Sequence, residues 1–445
     1  MLKSLILLLG TNFIIYGLST ALSFQRPLFN IDYILIAGLI VLKYKKVANV
    51  LWVIVFICDL LLCIRQIFPF FRLEDIIYIS RFIWISSIYY QLACLIFIVY
   101  AIFHCYIHTK IEINKIVYIA ILIVTSLSFA ISSIYSSLYP ARQFNYISSQ
   151  VVEFVNFQFY SFQQSLRELQ QPLTGFNHSP KATNNLRINL EKNTVSKKGV
   201  LLIVAESLGY PNDSIILDQL LDLLQQKVKL ENLLITKSHY VAPTVHAELR
   251  ELCKVQANNL NLKNLENGFE NCLAHQFKLN GYETTAMHGA LGLMYDRKYW
   301  YPRAGFDQLI FQETKKWQTR CYSFPGICDE ELSHEISKQF LRPKPQFFYW
   351  LTLNSHAIYD SRDIKIDRFN CTKFNIKPNS ESCRNLKLQA QFFHNLAKVL
   401  NEPQMRGVDI VIVGDHTPAI LDQSEKAKVF DSNNVLIINF TVSNI

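Results

Sequence analysis

Three stretches in the first third of the chain, 4–25, 82–103 and 116–141, contain no charged residue, and each reaches the roughly 20 residues that a bilayer core demands of a helix. Two shorter apolar runs lie between them, one holding Asp32 and the other Asp59. The pattern therefore predicts five membrane spans, at 4–23, 30–43, 48–64, 83–106 and 116–137. Residues 138–195 are polar and aromatic-rich and are broken by Pro140, Pro172 and Pro180. Within them, 150–169 mixes Phe and Val with Gln and Glu at near-helical spacing, which suits a helix on the membrane surface and equally an amphipathic helix packed on a domain. From Gly199 onward, short apolar runs at 200–205, 233–235, 284–287, 347–353, 408–413 and 435–440 alternate with helical segments, the signature of a mainly parallel α/β sheet covered on both faces. The expected organisation is a transmembrane domain (1–137), a partly interfacial connector (138–195) and a globular domain (196–445).

Composition sharpens this picture. Half of the 445 residues are hydrophobic and 18% are charged, which excludes disorder and a nucleic-acid-binding arm. The net charge of +9 divides almost evenly, with 10 Lys/Arg against 5 Asp/Glu up to about residue 138 and 34 against 30 after it. Neither part is basic enough to argue for nucleic acid. Lys3, the Lys43/Lys45/Lys46 cluster, and Lys110 with Lys115 mark one face of the membrane, which the positive-inside rule makes cytoplasmic. Five spans then put everything after Tyr139 outside. Lys3, the apolar run behind it and small residues at Ala21 and Ser23 also fit a cleavable signal, which would leave the later topology unchanged.

Cysteine usage bears on the same question. Cys58, Cys63, Cys94 and Cys105 fall within spans, where Cys acts as a small hydrophobe. The other six form three close pairs in sequence, Cys253/Cys272, Cys321/Cys328 and Cys371/Cys383. Without CxxC spacing, such pairs suit local disulfides in an oxidising compartment.

In parallel α/β sheets, ligand sites form beyond the carboxyl ends of the strands. The residues that follow the apolar runs are Glu206, Thr244 slightly further on, His288, His356 and the pair Asp415–His416. Each alone is the ordinary capping or surface group of a strand end. Together they make a metal-site composition, because hard carboxylate oxygens plus imidazole suit zinc or manganese.

Five segments carry a resemblance: VLLIVAESLG (200–209), APTVHAELREL (242–252), MHGALGLMYDRKYWYPRAGFD (287–307), TLNSH (352–356) and VIVGDHTPA (411–419). In this order they resemble the membrane-anchored alkaline phosphatase/sulfatase superfamily, and within it the lipid A phosphoethanolamine transferases and the lipoteichoic acid synthases, which also place five helices before an extracytoplasmic domain. The resemblance implies metal ligands at Glu206, Thr244, Asp415 and His416, with Thr244 as nucleophile. It implies an Arg297 that contacts the phosphoryl group, a His356 that contacts the phosphate or assists proton transfer, and a structural or outer-layer His288. No histidine follows His416, where many phosphoethanolamine transferases use one for a second zinc, so a single divalent metal is expected, zinc before manganese. Formylglycine sulfatases need a C/S-x-P-x-R nucleophile motif, which the sequence lacks.

The expectation is thus a polytopic enzyme of the bacterial inner membrane with a periplasmic catalytic domain. It would move a phospholipid head group, phosphoethanolamine or phosphoglycerol, onto a glycan or lipid of the cell envelope through a phospho-threonine. The alternative is a phosphodiesterase or phosphatase on the same scaffold. The oligomeric state is left open.

Overall fold

The computed structural model describes residues 2–21, 26–67, 88–110, 112–138, 147–156, 173–175 and, apart from 241–243, 259, 261, 325 and 358, residues 181–444. Two compact units divide the chain, Met1–Arg167 and Glu168–Ile445.

The first unit is a helical bundle of α1 (Leu2–Ala21), α2 (Ile31–Val41), α3 (Lys45–Ile67), α4 (Ile88–Lys110) and α5 (Lys115–Leu138). Helix therefore lies over each expected span, although 22–23 and 83–87 fall outside the described residues. Crossing a membrane is a stricter condition. Among the described residues only Lys45–Cys63, at mean hydropathy 2.2, is long and apolar enough, and Ile31–Val41, Cys94–Lys110 and Lys115–Ile131 are shorter apolar helices. The 11 residues of α2 rise only about 16 Å, roughly half of a hydrocarbon core. Five full-length crossings are therefore not borne out, and α2 is the clearest shortfall.

The acidic residues of the two shorter apolar runs, Asp32 and Asp59, are both accounted for. Asp59 is buried in an ion pair with Arg26, Nη2 to Oδ2 at 2.7 Å, and also accepts the Tyr33 hydroxyl at 3.1 Å. Asp32 sits in the first turn of α2 and accepts Ser149 Oγ at 2.6 Å and the Val151 amide at 2.9 Å. Beside these bonds, β1 (Phe29–Asn30) pairs in parallel with β2 (Ile147–Ser148). Helix is present at 150–156, whereas the rest of the connector helix expected to 169 lies outside the described residues. Gly38 permits a close approach of α2 to α5, because a Cβ there would collide with the Tyr118 hydroxyl.

The second unit is built on an eight-stranded sheet. Its strands are β4 (Gly199–Ala205), β5 (Gly209–Pro211), β6 (Leu230–His239), β8 (Glu283–His288), β9 (Gln308–Ile310), β10 (Gln346–Leu351), β11 (Asp409–Gly414) and β12 (Phe430–Val442), ordered β5-β12-β11-β4-β10-β8-β9 with β6 also on β12. A small separate pair joins β3 (Leu173–Gly175) to β7 (Val255–Ala257). The strands β11, β4, β10, β8 and β9 are parallel, but β12 runs antiparallel to β11, β5 and β6. The sheet is therefore mixed rather than mainly parallel. The run at 233–235 belongs to the outlying antiparallel strand β6, where residues alternate between partly buried and exposed.

Alternation sorts the central strands onto two faces. Leu201, Ile203, Phe348, Trp350, Ile410 and Ile412 pack with α7 (Ser214–Gln225), α11 (Asp329–Phe340) and α12 (Glu381–Leu400). Val200, Leu202, Val204, Phe347, Tyr349 and Val411 pack with α6 (Lys181–Glu191), α8 (Thr244–Cys253), α9 (Leu273–Leu279) and α10 (Arg297–Arg303). The helix α13 (Gln423–Val429) precedes β12. Because both faces are covered, the central strands read as unbroken apolar runs, as in QFFYWL of β10, where every residue is buried.

All three cysteine pairs are disulfides, Cys253–Cys272, Cys321–Cys328 and Cys371–Cys383, and Cys58, Cys63, Cys94 and Cys105 are free.

Candidate active site

The sheet order brings the chemistry together. Strands β11, β4, β10 and β8 are consecutive neighbours, so residues beyond their carboxyl ends meet on one rim. Glu206 follows β4, the Asp415–His416 pair follows β11, His288 closes β8, and His356 lies in the loop after β10. Thr244 is the first residue of α8. A Cβ at Gly414 would overlap the Leu208 carbonyl oxygen, so only glycine lets the loops after β11 and β4 close this tightly.

Glu206, Asp415 and His416 each offer a ligand atom within 4.8 Å of the others. His416 Nε2 is 3.3 Å from Asp415 Oδ2 and 3.5 Å from Glu206 Oε1. The Thr244 hydroxyl donates to Asp415 Oδ2 at 2.8 Å and lies 3.5 Å from Glu206 Oε2. Thr244, Glu206 and Asp415 are buried.

The three histidines share one device. His416 Nδ1 is 2.9 Å from the Thr417 carbonyl, His356 Nδ1 is 2.6 Å from that of Ala357, and His288 Nδ1 is 3.0 Å from that of Leu351. A carbonyl can only accept, so each Nδ1 carries the proton and Nε2 is left to ligate or accept. In His416 that nitrogen is the one turned to the carboxylates, the orientation in which a backbone partner fixes a metal-binding imidazole.

The electrostatics call for a cation. Burial, and then the like charge of Glu206, push the Asp415 carboxyl up to about 6. Burial alone would lower His416, but the Asp415 and Glu206 charges outweigh it and raise the imidazole. His356 and His288 are both lowered, chiefly by burial, with the Arg297 charge adding to the effect at His288. Two buried carboxylates and an imidazole lone pair converging on one point form a hard O/N donor set that fits a divalent metal such as zinc or manganese.

Arg297 is occupied elsewhere. It is 1% exposed, and it donates Nε and Nη2 to the Glu248 carboxylate, with Nη2 to Oε2 at 2.7 Å. Glu248 also accepts the hydroxyls of Tyr301 and Tyr349. Burial lowers the Arg297 guanidinium, yet the Glu248 charge outweighs it and holds the group above its ordinary value. The fork expected to grip a phosphodiester is thus filled by a carboxylate one helical turn from Thr244 on α8. The residue before this pairing segment, Asp296, and Tyr295 ahead of it both adopt left-handed backbone, φ 57° and 51°.

Several supporting residues were not singled out from the sequence. The Glu206 amide donates to Thr352 Oγ1 at 2.9 Å, and Ser355 Oγ donates to the Glu206 carbonyl at 2.6 Å. Both belong to the TLNSH segment, which drew notice only for its histidine. Glu248 likewise lies inside the segment quoted for Thr244. Asn385 and Gln389 of α12, which donate to the backbone of Glu206 and Ser207, carry no motif. Their one signal is a polar pair spaced i, i+4 on an otherwise apolar helical face.

Residues 198–434 match the sulfatase family, more than half of the chain. The chain belongs to the sulfatase family. Similar solved structures include the lipoteichoic acid synthase LtaP from Listeria monocytogenes, 16% identical over 56% of this chain and 67% of that one, with a TM-score of 0.41. The Streptococcus pyogenes phosphoglycerol transferase GacH in complex with sn-glycerol-1-phosphate is 16% identical over 61% of this chain and 78% of its own, with a TM-score of 0.38. The C-terminal periplasmic domain of EcEptC from Escherichia coli in complex with Zn is 14% identical over 56% and 73%, with a TM-score of 0.36. No curated protein matches this member of the sulfatase family.

Proposed function

We propose that this sulfatase-family chain is a membrane-embedded phosphotransferase of the bacterial inner membrane with its second unit in the periplasm. It would carry a phospholipid head group, phosphoethanolamine or phosphoglycerol, to an envelope glycan or lipid. The observation that carries the reading is the Thr244 hydroxyl, hydrogen-bonded to Asp415 beside Glu206 and His416. A bare threonine hydroxyl is a weak nucleophile, and this arrangement is the kind that activates one.

Glu206, Asp415 and His416 would hold one divalent metal together with Thr244. Bound there, the metal supplies positive charge that lowers the hydroxyl pKa and balances phosphoryl oxygens. Thr244 Oγ1 attacks phosphorus, an Oγ1–P bond forms, the P–O bond to glycerol breaks, and diacylglycerol leaves as the alcohol. An acceptor hydroxyl then forms its own bond to phosphorus and displaces Thr244 Oγ1. His356, with Nδ1–H tied to Ala357, offers Nε2 to take or return the proton in these exchanges. Arg297 enters as a positioning residue, holding Glu248 and so the helix whose first residue is Thr244.

Apolar side chains left exposed along α4 and α5, among them Leu95, Ile96, Val99, Ile102, Ile123 and Leu127, support immersion of the first unit in lipid. Anchoring there keeps the enzyme beside a donor that never leaves the bilayer. The three disulfides of the second unit support an oxidising location.

The test is to incubate the purified full chain in lipid nanodiscs with head-group-labelled phosphatidylethanolamine or phosphatidylglycerol and an envelope lipid fraction. Diacylglycerol release with label on the acceptor, and on Thr244 when acceptor is omitted, supports the proposal. Label appearing only as free head-group phosphate makes the enzyme a hydrolase.

A further inference from the structure

Ser207 stands between the two carboxylates of the site in a backbone conformation unusual for serine, φ 53°. Its amide donates to Asp415 Oδ1 at 2.8 Å and its hydroxyl to Glu206 Oε1 at 3.0 Å. Asp415 Oδ1 is further held by the His416 amide at 2.6 Å, which leaves Oδ2 for Thr244 and His416 Nε2. One residue thus donates a hydrogen bond to each of the two carboxylates.

The left-handed turn is itself held in place. Gln389 Nε2 donates to the Glu206 carbonyl at 3.0 Å and to the Ser207 carbonyl at 3.2 Å, and Asn385 Nδ2 donates to the Ser207 carbonyl at 3.2 Å. Both amides are buried on α12, and their side-chain oxygens, Gln389 Oε1 and Asn385 Oδ1, find no donor among the described residues. A buried acceptor left unpaired costs stability that a leucine at either position would not. These amides are therefore placed for what their NH2 groups do.

We infer that Ser207, locked by Asn385 and Gln389, is the positioning residue that aims Glu206 and Asp415 at a bound divalent cation. The inference rests on the metal reading of the site. Groups that orient metal-ligating side chains typically change metal affinity by roughly 10–100-fold when removed. Glycine adopts φ 53° freely, so Ser207→Gly keeps the turn and the amide bond to Asp415 and removes only the hydroxyl. Gln389→Leu preserves bulk on α12 and removes two of the three clamping bonds, leaving that of Asn385.

The experiment is a zinc titration against a competing chromophoric chelator, using the full chain in detergent, stripped of metal, as wild type, Ser207→Gly and Gln389→Leu. Melting of the stripped proteins is recorded alongside. The expected result is unchanged melting of stripped Ser207→Gly together with a zinc Kd raised about 10-fold or more in both variants. Wild-type zinc affinity in a folded Ser207→Gly overturns the inference while the metal reading stands. Failure of the wild-type chain to bind zinc or manganese overturns the metal reading and the inference with it.

Discussion

The hydroxyl of Thr244 and the carboxylate of Asp415 are 171 residues apart in sequence and 2.8 Å apart in space. Nothing local joins them. Thr244 opens a helix on one face of the sheet, and Asp415 follows a strand at its centre.

From that pair follows the first expectation. Thr244→Ala should remove head-group transfer while leaving melting within a few degrees of wild type, since the lost bond is one buried hydrogen bond worth about 1 kcal/mol. Thr244→Ser keeps an oxygen and should retain measurable transfer. Diacylglycerol release in nanodiscs is the readout, and undiminished release by the alanine variant would remove Thr244 from the mechanism.

Metal binding should oppose proton binding at the same atoms. In the metal-free protein Asp415 is held up to about 6 and His416 is also raised. The folded state then keeps protons that the unfolded chain has already released, so metal-free stability falls as pH rises from about 4 to about 7. Added zinc supplies the missing charge and should reverse that trend, while acidification below about 6 should release it. Melting curves of stripped and zinc-loaded protein across this range check both signs, and parallel curves would contradict the donor set. His416→Ala should lose more than the roughly 10–100-fold in affinity typical of outer-layer partners.

Breaking the buried Glu248–Arg297 pair should be expensive. Glu248→Gln leaves the Arg297 guanidinium, 1% exposed, without its counter-charge, at a cost of about 3–5 kcal/mol. Replacing both with Glu248→Gln and Arg297→Met should recover part of that loss. Denaturant midpoints of the two single variants and the double test this, and a double variant no better than the worse single would show that the ion pair is not the source of the cost.

Thiol counting checks the cysteine assignment. Denatured but unreduced protein should expose only Cys58, Cys63, Cys94 and Cys105 to alkylation, with the other six blocked in disulfides. Reduction should open all 10 cysteines. Intact mass after labelling distinguishes the two states.

Much of the candidate site could be read in one dimension because Glu206, Asp415 and His416 directly follow apolar runs. Glu206 follows β4 and Asp415 follows β11, so strand detection locates them before any geometry is known. The close pairing of cysteines was legible for a similar reason, since loops of 7 to 19 residues keep partners near each other. Arg297 shows where such reading ends. The resemblance implies a phosphoryl contact for it, and its pairing with Glu248, 49 residues away in sequence, comes from the fold alone.

The amino-acid sequence by itself determined the apolar helical region, the strand-and-helix alternation after Gly199, and the residue types available for metal and phosphoryl chemistry, because hydrophobic period and side-chain chemistry are local properties. Tertiary structure alone decided that β12 returns antiparallel to make a mixed sheet, that α2 spans only 11 residues, that Arg297 is taken by Glu248, and that Asn385 and Gln389 brace the turn at Ser207. Each of these depends on which distant surfaces meet, and sequence spacing does not encode a long-range contact made by a single hydrogen bond or ion pair.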